Sequence, residues 1–422
     1  MNLLIKGAKI CDLEKKEFVE ADILIAGEKI KRIGKNLKAD AKLIDAKGLY
    51  CFPGFVDLHT HVREPGAEYK ENISTLTRSA SKGGFTSLLC MPNTQICLDT
   101  PEKIRSFLKI AKSSDINIFV CGAITKERKG KELTEMFLMK REGALAFSDD
   151  GSWVEDSFLF LMALRYAKFL NTLIITHAEE KSLSQGVCRE GRLNIECGFF
   201  PNYAISETIA ILRDLEIAKY TGAKLHIAHV STKRGVVLIE RAKKEGIKVS
   251  CEATPHHLIL NFQELSKYDP NFKVNPPLGS EEDRRELIKA LKKDIIDCIA
   301  TDHAPHTKEE KLRPFSEANP GVIGLESCFS ALYTYLVDKG YIDIFKLVEK
   351  LTLKPAQILG LKTKGLLKEG LDADLVLIDL DEECVFTEKE IESRCKNSPF
   401  LGRNLKAKVK FTISKGKIVY KE

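Results

Sequence analysis

Two histidines separated by one residue, His59 and His61, lie in the segment FVDLHTHVREPG, where an apolar run ends. In an extended strand, residues i and i+2 point to the same side, so both imidazoles can reach one metal ion. A single His-x-His pair is a weak indication, because many such pairs are accidental. The prediction of a metal site therefore depends on ligands supplied from elsewhere in the chain.

Further potential metal ligands stand at the ends of other apolar runs. They are Asp149 or Asp150, His177, His229 and Asp302. Neutral imidazole nitrogen and carboxylate oxygen suit Zn²⁺ or a related first-row ion that keeps an open position for water. We therefore predict that these side chains join His59 and His61 around one or two Zn²⁺ ions.

Such an ion would lower the pKa of bound water toward ~7 and polarise a carbonyl group, which makes hydrolysis or its reverse the natural reaction. A carboxylate beside the activated water can take its proton and deliver it to a leaving nitrogen. We predict this acid and base role for Asp302. The alternatives are that Asp302 is only a metal ligand, or that it serves as both.

The elements that position these residues read as short apolar runs alternating with longer helical stretches, the pattern of βα units with a parallel sheet. A doubly wound open sheet is the alternative, but no G-x-G-x-x-G element opens a helix. The potential ligands follow the carboxyl ends of the runs, where barrel enzymes place their active sites, so we predict an α/β fold with a (β/α)8 TIM-type barrel. The eight runs lie at 54–59, 85–91, 116–122, 143–150, 172–178, 224–230, 247–253 and 297–304.

Both ends of the 422-residue chain carry a different pattern, with alternating apolar residues punctuated by glycine. This alternation is typical of strands in an antiparallel hairpin layer. We predict a small, sandwich-like β domain built from residues 1–52 and 362–422, and a catalytic barrel over residues 53–361.

Composition argues against several partners and locations. The net charge of +6 comes from interspersed acidic and basic residues, which disfavours a nucleic-acid surface. No apolar run approaches the ~20 residues of a membrane span, so we expect a cytoplasmic protein. Twelve cysteines show no C-x-x-C pair. Cys188 or Cys197 could approach the metal, although ordinary packed thiols are the interpretation that we favour.

The motifs as a set resemble the amidohydrolase superfamily and, more narrowly, the class I dihydroorotases. The resemblance covers nearly the whole chain, through PGFVDLHTHVREPG, MPNT, FSDDG, THAEE, HIAHVST, CEATPHHL, KVNPPL and TDHAPH. It implies reversible cyclisation of N-carbamoyl-L-aspartate to L-dihydroorotate in de novo pyrimidine biosynthesis. Related hydantoinases, dihydropyrimidinases and allantoinases are expected to carry a carboxylated lysine after the fourth strand. The aspartates of FSDDG resemble the class I pattern, and position favours Asp150 over Asp149 as the ligand.

Dihydroorotate carries a carboxylate beside a cyclic imide, so its pocket needs a cation with fork geometry. Arg63 fits that role, and Asn93 and His306 resemble the family's companion contacts to the carboxylate. Asn275 is similar to a ring-contacting asparagine, and Pro320 with Gly321 resembles a segment that offers backbone groups to the ring. Turn-forming roles are the alternative for these last three.

The remaining histidines receive supporting roles. His256, His257 and His303 are expected to be structural or to orient a ligand. His226 precedes His229 by three residues and is expected to point away from the ligand side.

Two other functions are compatible with the pattern. The first is another cyclic amidohydrolase, such as a hydantoinase or allantoinase, which would not need Arg63. The second is a non-catalytic scaffold for aspartate transcarbamoylase, which we would expect to lack metal histidines. The resemblance also implies a homo- or hetero-oligomer and an association with that transcarbamoylase.

Overall fold

The computed structural model describes residues 2–422, apart from the side chains at positions 192, 193, 197, 266 and 267. Two large sheets organise the chain. The helices that surround them are α1 (Ile73–Lys82), α2 (Pro101–Ala111), α3 (Met136–Glu142), α4 (Ser157–Leu170), α5 (Arg192–Cys197), α6 (Ala204–Thr221), α7 (Lys233–Lys244), α8 (Pro255–Ile259), α9 (Glu281–Lys292), α10 (Lys308–Lys311), α11 (Cys328–Leu332), α12 (Ile344–Leu351) and α13 (Leu353–Leu359).

The larger part of the chain forms the predicted (β/α)8 barrel. Its eight strands are parallel and neighbours in the sheet follow chain order. A bridge from Thr60 to His303, just beyond the eighth strand, brings the two ends of the sheet together. The strands are β6 (Phe55–Thr60), β7 (Phe85–Cys90), β8 (Asn117–Gly122), β9 (Ala144–Ser148), β10 (Leu173–Thr176), β13 (Lys224–Ile227), β14 (Val249–Ala253) and β15 (Cys298–Ile299), and a separate short pair is formed by β11 (Cys188–Arg189) and β12 (Pro201–Asn202).

Each of the eight predicted runs coincides with one barrel strand, although β6 ends one residue beyond its run, at Thr60. The residues of β6, β7 and β10 are buried at every position, as expected for strands covered on both sides. The eighth run gives the shortest barrel strand, which ends at Ile299, and the chain adopts a left-handed conformation three residues later at Asp302, whose φ is 47°. Its polar residues therefore belong to the loop at the barrel mouth.

The second sheet joins both ends of the chain. Its order is β18, β17, β16, β5, β1, β2, β3, with β4 beside β1. Its own apolar core includes Ile5, Ile23, Leu375 and Ile413. The strands are β1 (Asn2–Asp12), β2 (Glu17–Ala26), β3 (Lys29–Gly34), β4 (Lys42–Asp45), β5 (Tyr50–Pro53), β16 (Leu375–Val385), β17 (Asn404–Ser414) and β18 (Lys417–Lys421).

The pairing in this sheet differs in part from the antiparallel layer predicted for the N-terminal residues. β1 pairs antiparallel with β2, but β4 and β5 both run parallel to β1. Alternation of apolar residues specifies which side of a strand is buried but not the direction of its neighbour, which explains the error. The predicted division of the chain at residues 52/53 and 361/362 stays a prediction.

β5 links the two sheets, because it leads directly into β6, the strand that carries His59. In the composite sheet β5 pairs antiparallel with β16 from the other end of the chain, with Val376 opposite Phe52. Among the described residues, no helix combines the length and the hydropathy needed to cross a membrane.

Candidate active site and metal centre

The structure brings all six predicted metal ligands together at one end of the barrel. Two of them lie at the end of β6 and just after it, and each of the other four follows a different strand. All six side chains are buried. The six are His59, His61, Asp150, His177, His229 and Asp302.

Asp150 lies at the centre of three imidazoles. Its Oδ1 atom is 3.2 Å from Nε2 of His59, 3.7 Å from Nε2 of His229 and 3.7 Å from Nδ1 of His177. Two ligands held about 2.0 Å from one tetrahedral zinc ion lie roughly 3.3 Å apart. The spacing of His59, Asp150 and His229 thus fits a shared metal ion, and His177 lies next to this group.

A second group of ligands adjoins the first. Nε2 of His61 is 2.9 Å from Oδ1 of Asp302, and Nε2 of His59 is 3.8 Å from the same oxygen. His59 therefore belongs both to the group with His61 and Asp302 and to the group with Asp150 and His229. The donor set can serve one ion or two.

Two atoms in this cluster fit a bound cation. Nε2 of His59 and Oδ1 of Asp150 are both fully buried, and neither has a hydrogen bond among the described residues. A buried polar atom without a partner is costly, and a metal ion that accepts both lone pairs removes that cost. The residues present therefore fit a metal of the zinc type.

The carboxylates and imidazoles of the cluster stabilise each other's charged forms. Burial favours the neutral form of Asp150, but His59, His177 and His229 outweigh it and hold the pKa of Asp150 well below its usual range. For His177, burial also opposes the charge, yet Asp150 and Glu179 raise the pKa to about 10. The ionised form of Asp150 is therefore favoured, and a carboxylate in that form can bind a cation.

Three site residues have strained backbones. Arg63, His229 and Asp302 have φ values of 65°, 33° and 47°. Residues with a Cβ seldom adopt this left-handed backbone conformation, and such strain is concentrated at functional sites. Each of the three stands where the chain turns out of the barrel, which aims its side chain at the mouth.

The neighbouring aspartates have different surroundings. Asp149 accepts hydrogen bonds from the backbone N–H groups of Ile124 and Thr125, at 2.8 and 3.0 Å, and from the Thr125 hydroxyl. Its carboxylate thus ties β9 to the loop after β8, while Asp150 faces the imidazoles. This difference favours Asp150 as the metal ligand.

Glu252 is a site residue that sequence reasoning missed. Its Oε1 lies 2.8 Å from Nδ1 of His59, and its Oε2 lies 3.1 Å from Nε2 of His226. Nδ1 of His226 in turn meets the Ser250 hydroxyl at 2.8 Å. His226 is not among the six ligands, in agreement with the sequence analysis, but it braces the carboxylate that orients one of them. The motif CEATPHHL contained Glu252, although nothing in its spacing pointed to His59.

Glu252→Gln is expected to weaken metal binding by about 10- to 100-fold, because an outer carboxylate fixes the orientation and raises the basicity of a ligating histidine. The measurement is competition with a chromogenic chelator. Glu71→Gln is the matched control, since Glu71 is equally buried but lies near His303 and hydrogen bonds with Thr75 and Ser393. Equal losses in both variants would contradict a specific role for Glu252.

Glu179 is a second missed residue. Oε2 of Glu179 is 3.3 Å from Nε2 of His177, and the side-chain amide of Asn275 is 3.3 Å from each of these atoms. Burial disfavours the charge of Glu179, but its contact with His177 lowers the pKa to about 2. Asn275, predicted to contact the substrate ring, thus lies beside a predicted ligand.

Arg63, His306 and Asn93 line one side of the cluster. Nε of Arg63 donates to the backbone oxygen of Pro305 at 3.2 Å, and Nη2 lies 3.4 Å from Nε2 of His306. Burial and the Arg63 charge lower the pKa of His306 to about 3, so its imidazole is neutral. Oδ1 of Asn93 meets Nδ1 of His61 at 2.8 Å, which leaves its amide nitrogen for a ligand.

Gly321 packs against His306, whereas Pro320 is exposed. A Cβ at Gly321 would lie 2.9 Å from that of Ala304 and 3.1 Å from Nε2 of His306, and the φ of 126° also requires glycine. The Gly321 N–H donates to the backbone oxygen of Lys273, and its oxygen accepts from Asn397. Its backbone groups therefore already have protein partners.

The other histidines and cysteines have structural surroundings. Nε2 of His257 contacts the Pro276 oxygen at 2.9 Å, His303 accepts from the backbone of Gly324, and burial lowers the pKa of His256 to about 4. Cys188 is buried in an apolar cluster with Leu265 and Phe315. The side chain of Cys197, the other predicted candidate, lies outside the described residues.

Comparison with known proteins gives consistent results. The family described as the amidohydrolase family matches residues 50–419. A dihydroorotase of Elusimicrobium minutum is 44% identical over 99% of this chain and 97% of its own length. One of Aquifex aeolicus is 42% identical over the full length of both chains. Among solved structures, an L-hydantoinase from Arthrobacter aurescens has a TM-score of 0.89 at 26% identity, covering 99% of this chain and 96% of its own.

Proposed function

The chain belongs to the amidohydrolase family and, within it, to the dihydroorotases, and from this membership we propose how its residues carry out the reversible cyclisation of N-carbamoyl-L-aspartate to L-dihydroorotate. The observation that carries the proposal is the position of Arg63 and His306 beside the cluster of imidazoles and carboxylates. A cation next to a hydrolytic metal site suits a cyclic amide that bears a carboxylate.

We propose that the metal is zinc, held by the six residues gathered around Asp150 and Asp302. Their imidazole nitrogens and carboxylate oxygens are donors that zinc favours. When bound, the ion supplies Lewis acidity, which makes water a nucleophile near neutral pH and polarises the amide carbonyl. Elemental analysis of purified protein distinguishes one ion from two.

Neutral and cationic groups around Arg63 bind the substrate. The Arg63 guanidinium pairs with the substrate carboxylate, and the Asn93 amide donates to it. His306, neutral because burial and Arg63 lower its pKa, adds a hydrogen bond without a competing charge. These contacts orient the ring so that its amide faces the imidazoles.

We assign proton transfer to Asp302. Burial favours its neutral form, but His61 and the neighbouring histidines hold the pKa of Asp302 well below its usual range. It therefore begins the hydrolytic direction as a carboxylate that takes a proton from the attacking water. It then delivers that proton to the departing ring nitrogen, and the biosynthetic direction reverses both transfers.

Arg63→Gln is expected to lower kcat/KM for dihydroorotate by about 10- to 100-fold, because a hydrogen bond to a charged group is lost. Arg63→Lys is expected to recover only part of this, since lysine lacks the planar fork. Dihydrouracil, the same ring without the carboxylate, is the control substrate, and its turnover should be unaffected. A loss of equal size for both substrates would remove Arg63 from carboxylate binding.

The second candidate function, a hydantoinase, is favoured only by the similarity to solved hydantoinase structures. Steady-state assays of dihydroorotate, hydantoin and allantoin with one preparation separate the two. We expect dihydroorotate to be the preferred substrate, and preference for hydantoin would overturn the assignment.

Three further points concern scaffolding, protein partners and location. A scaffold without catalysis is disfavoured because none of the six predicted ligands is missing. Association with aspartate transcarbamoylase stays a prediction from the family resemblance, and activity assays with and without that enzyme test it. We also propose a cytoplasmic location, in keeping with free buried thiols such as Cys51 and Cys90.

A further inference from the structure

The segment between β16 and β17 carries a buried amide, Asn397, which joins separate pieces of backbone at the barrel mouth. Its Oδ1 accepts a hydrogen bond from the His306 N–H at 3.2 Å. Its Nδ2 donates to the backbone oxygens of Ala304 and Gly321, at 3.1 Å each. Its own backbone oxygen accepts from the Ile323 N–H at 3.0 Å. Asn397 is only 4% exposed, so water has little access to these bonds.

An amide is the group that these partners require. A backbone N–H faces Oδ1, and two carbonyl oxygens face the two hydrogens of Nδ2, so both ends of the Asn397 side chain are matched. A carboxylate at this position would place a negative oxygen against the carbonyl oxygens of Ala304 and Gly321. An apolar side chain would leave buried backbone groups without partners, which is costly. The position therefore specifies asparagine.

The backbone that Asn397 holds carries the groups proposed to bind the substrate carboxylate. Pro305 lies between the two residues of this loop that Asn397 contacts, and its oxygen accepts from Nε of Arg63 at 3.2 Å. Nη2 of Arg63 lies 3.4 Å from Nε2 of His306. A shift of the backbone at residues 304–306 would therefore displace both the His306 imidazole and the anchor of the Arg63 guanidinium.

Other contacts of this loop act at different points. Oε2 of Glu310 lies 3.2 Å from Nδ1 of His306 and so orients the ring. The Ala304 N–H donates to the Val322 oxygen at 2.8 Å, which links the loop to the 320–323 stretch. The His306 N–H, in contrast, has the Asn397 side chain as its acceptor. Asn397 thus fixes the backbone from which the imidazole projects.

We propose that Asn397 is a positioning residue for carboxylate recognition, which holds residues 304–306 so that Arg63 and His306 present a fixed pair of groups to the substrate. This inference rests on the proposed function, because it assigns Asn397 to the same binding site. Asn397 acts through the loop that it holds and does not itself bind the substrate. Preference for a ring that bears a carboxylate therefore depends on a residue from the segment between β16 and β17, far along the chain from Arg63.

The first test measures kcat and KM of Asn397→Ala for dihydroorotate and for dihydrouracil, which lacks the carboxylate. We expect kcat/KM to fall about 10- to 100-fold for dihydroorotate and by less than about threefold for dihydrouracil, since a misplaced binding group affects the substrate that it contacts. The loss for dihydroorotate should lie mainly in KM, because the carboxylate contact is the same in the bound substrate and in the transition state. Losses of equal size for both substrates would overturn the proposal, because a damaged fold lowers both alike.

Ser398→Ala is the matched control at the neighbouring position. Ser398 is also buried, but its hydroxyl accepts from the Phe400 N–H at 3.3 Å, within the same segment. This variant should keep the wild-type substrate preference, and a change as large as that of Asn397→Ala would refute a specific role for Asn397. Circular dichroism establishes folding. If the alanine variant does not fold, Asn397→Asp is measured with the same expected change in preference, because it has nearly the same shape but loses the amide donors.

The second test combines Asn397→Ala with His306→Ala. Residues that act through one another give a combined loss smaller than the product of the single losses. We expect the double variant's loss in kcat/KM for dihydroorotate to be smaller than that product by at least about threefold. A loss equal to the full product would show that Asn397 acts independently of His306 and would overturn the proposal. Failure of the proposed function is a separate outcome, since the wild-type protein itself would then not prefer dihydroorotate.

Discussion

Asp302→Asn is expected to lower kcat for dihydroorotate hydrolysis by about 10³- to 10⁴-fold, because the amide cannot take up the proton that the carboxylate accepts. Asparagine has nearly the same shape and keeps an oxygen that can face Nε2 of His61, which lies 2.9 Å from the aspartate. The metal should remain bound, since five other predicted ligands are unchanged. The measurements are steady-state turnover and metal content of the same preparation.

The outcome distinguishes a role of Asp302 in proton transfer from a role as metal ligand. Retained metal with lost turnover is the result for an acid and base. Lost metal would make Asp302 primarily a ligand. Turnover within about tenfold of wild type, with the metal in place, would exclude it from proton transfer.

Asp150→Asn is expected to abolish tight metal binding, and with it turnover. Its carboxylate faces His59, His177 and His229, so neutralising it leaves three imidazoles without the central anion. The loss of affinity should exceed the roughly 10- to 100-fold expected for an outer carboxylate such as Glu252. Chelator competition measures this affinity directly.

Asp149→Asn is the matched control at the adjacent position. It weakens hydrogen bonds to Ile124 and Thr125, so we expect a loss of about 1–3 kcal/mol in the free energy of unfolding. Metal affinity should stay near that of the wild type. Stronger metal loss in Asp149→Asn than in Asp150→Asn would reverse the assignment of the two aspartates.

Much of the barrel could be predicted from sequence because its strands are buried on both sides. Continuous apolar runs such as FTSLLC can be recognised without knowing what covers them. Pairing direction in the composite sheet was harder, because the parallel neighbours of β1 come from residues that alternate in the same way as hairpin strands do. Direction depends on how the chain crosses between strands, which alternation does not encode.

The six clustered side chains could be predicted because each lies at a strand end, where barrel topology forces convergence. Glu252 could not, since a buried glutamate shows its partner only when the fold brings distant segments of the chain together. His59 and Glu252 are 193 residues apart in the chain and 2.8 Å apart in space.

The composite sheet also bears on how the polypeptide is made. β5, which leads into the strand of His59, is held by β16, and β16 pairs with β17 at Asn404–Ser414. During translation, β5 is therefore synthesised more than 300 residues before its partner β16. Contacts of such long sequence separation are slow to form and leave partly built intermediates exposed to aggregation. The strand that carries His59 would thus gain its full support only after β16 has been synthesised.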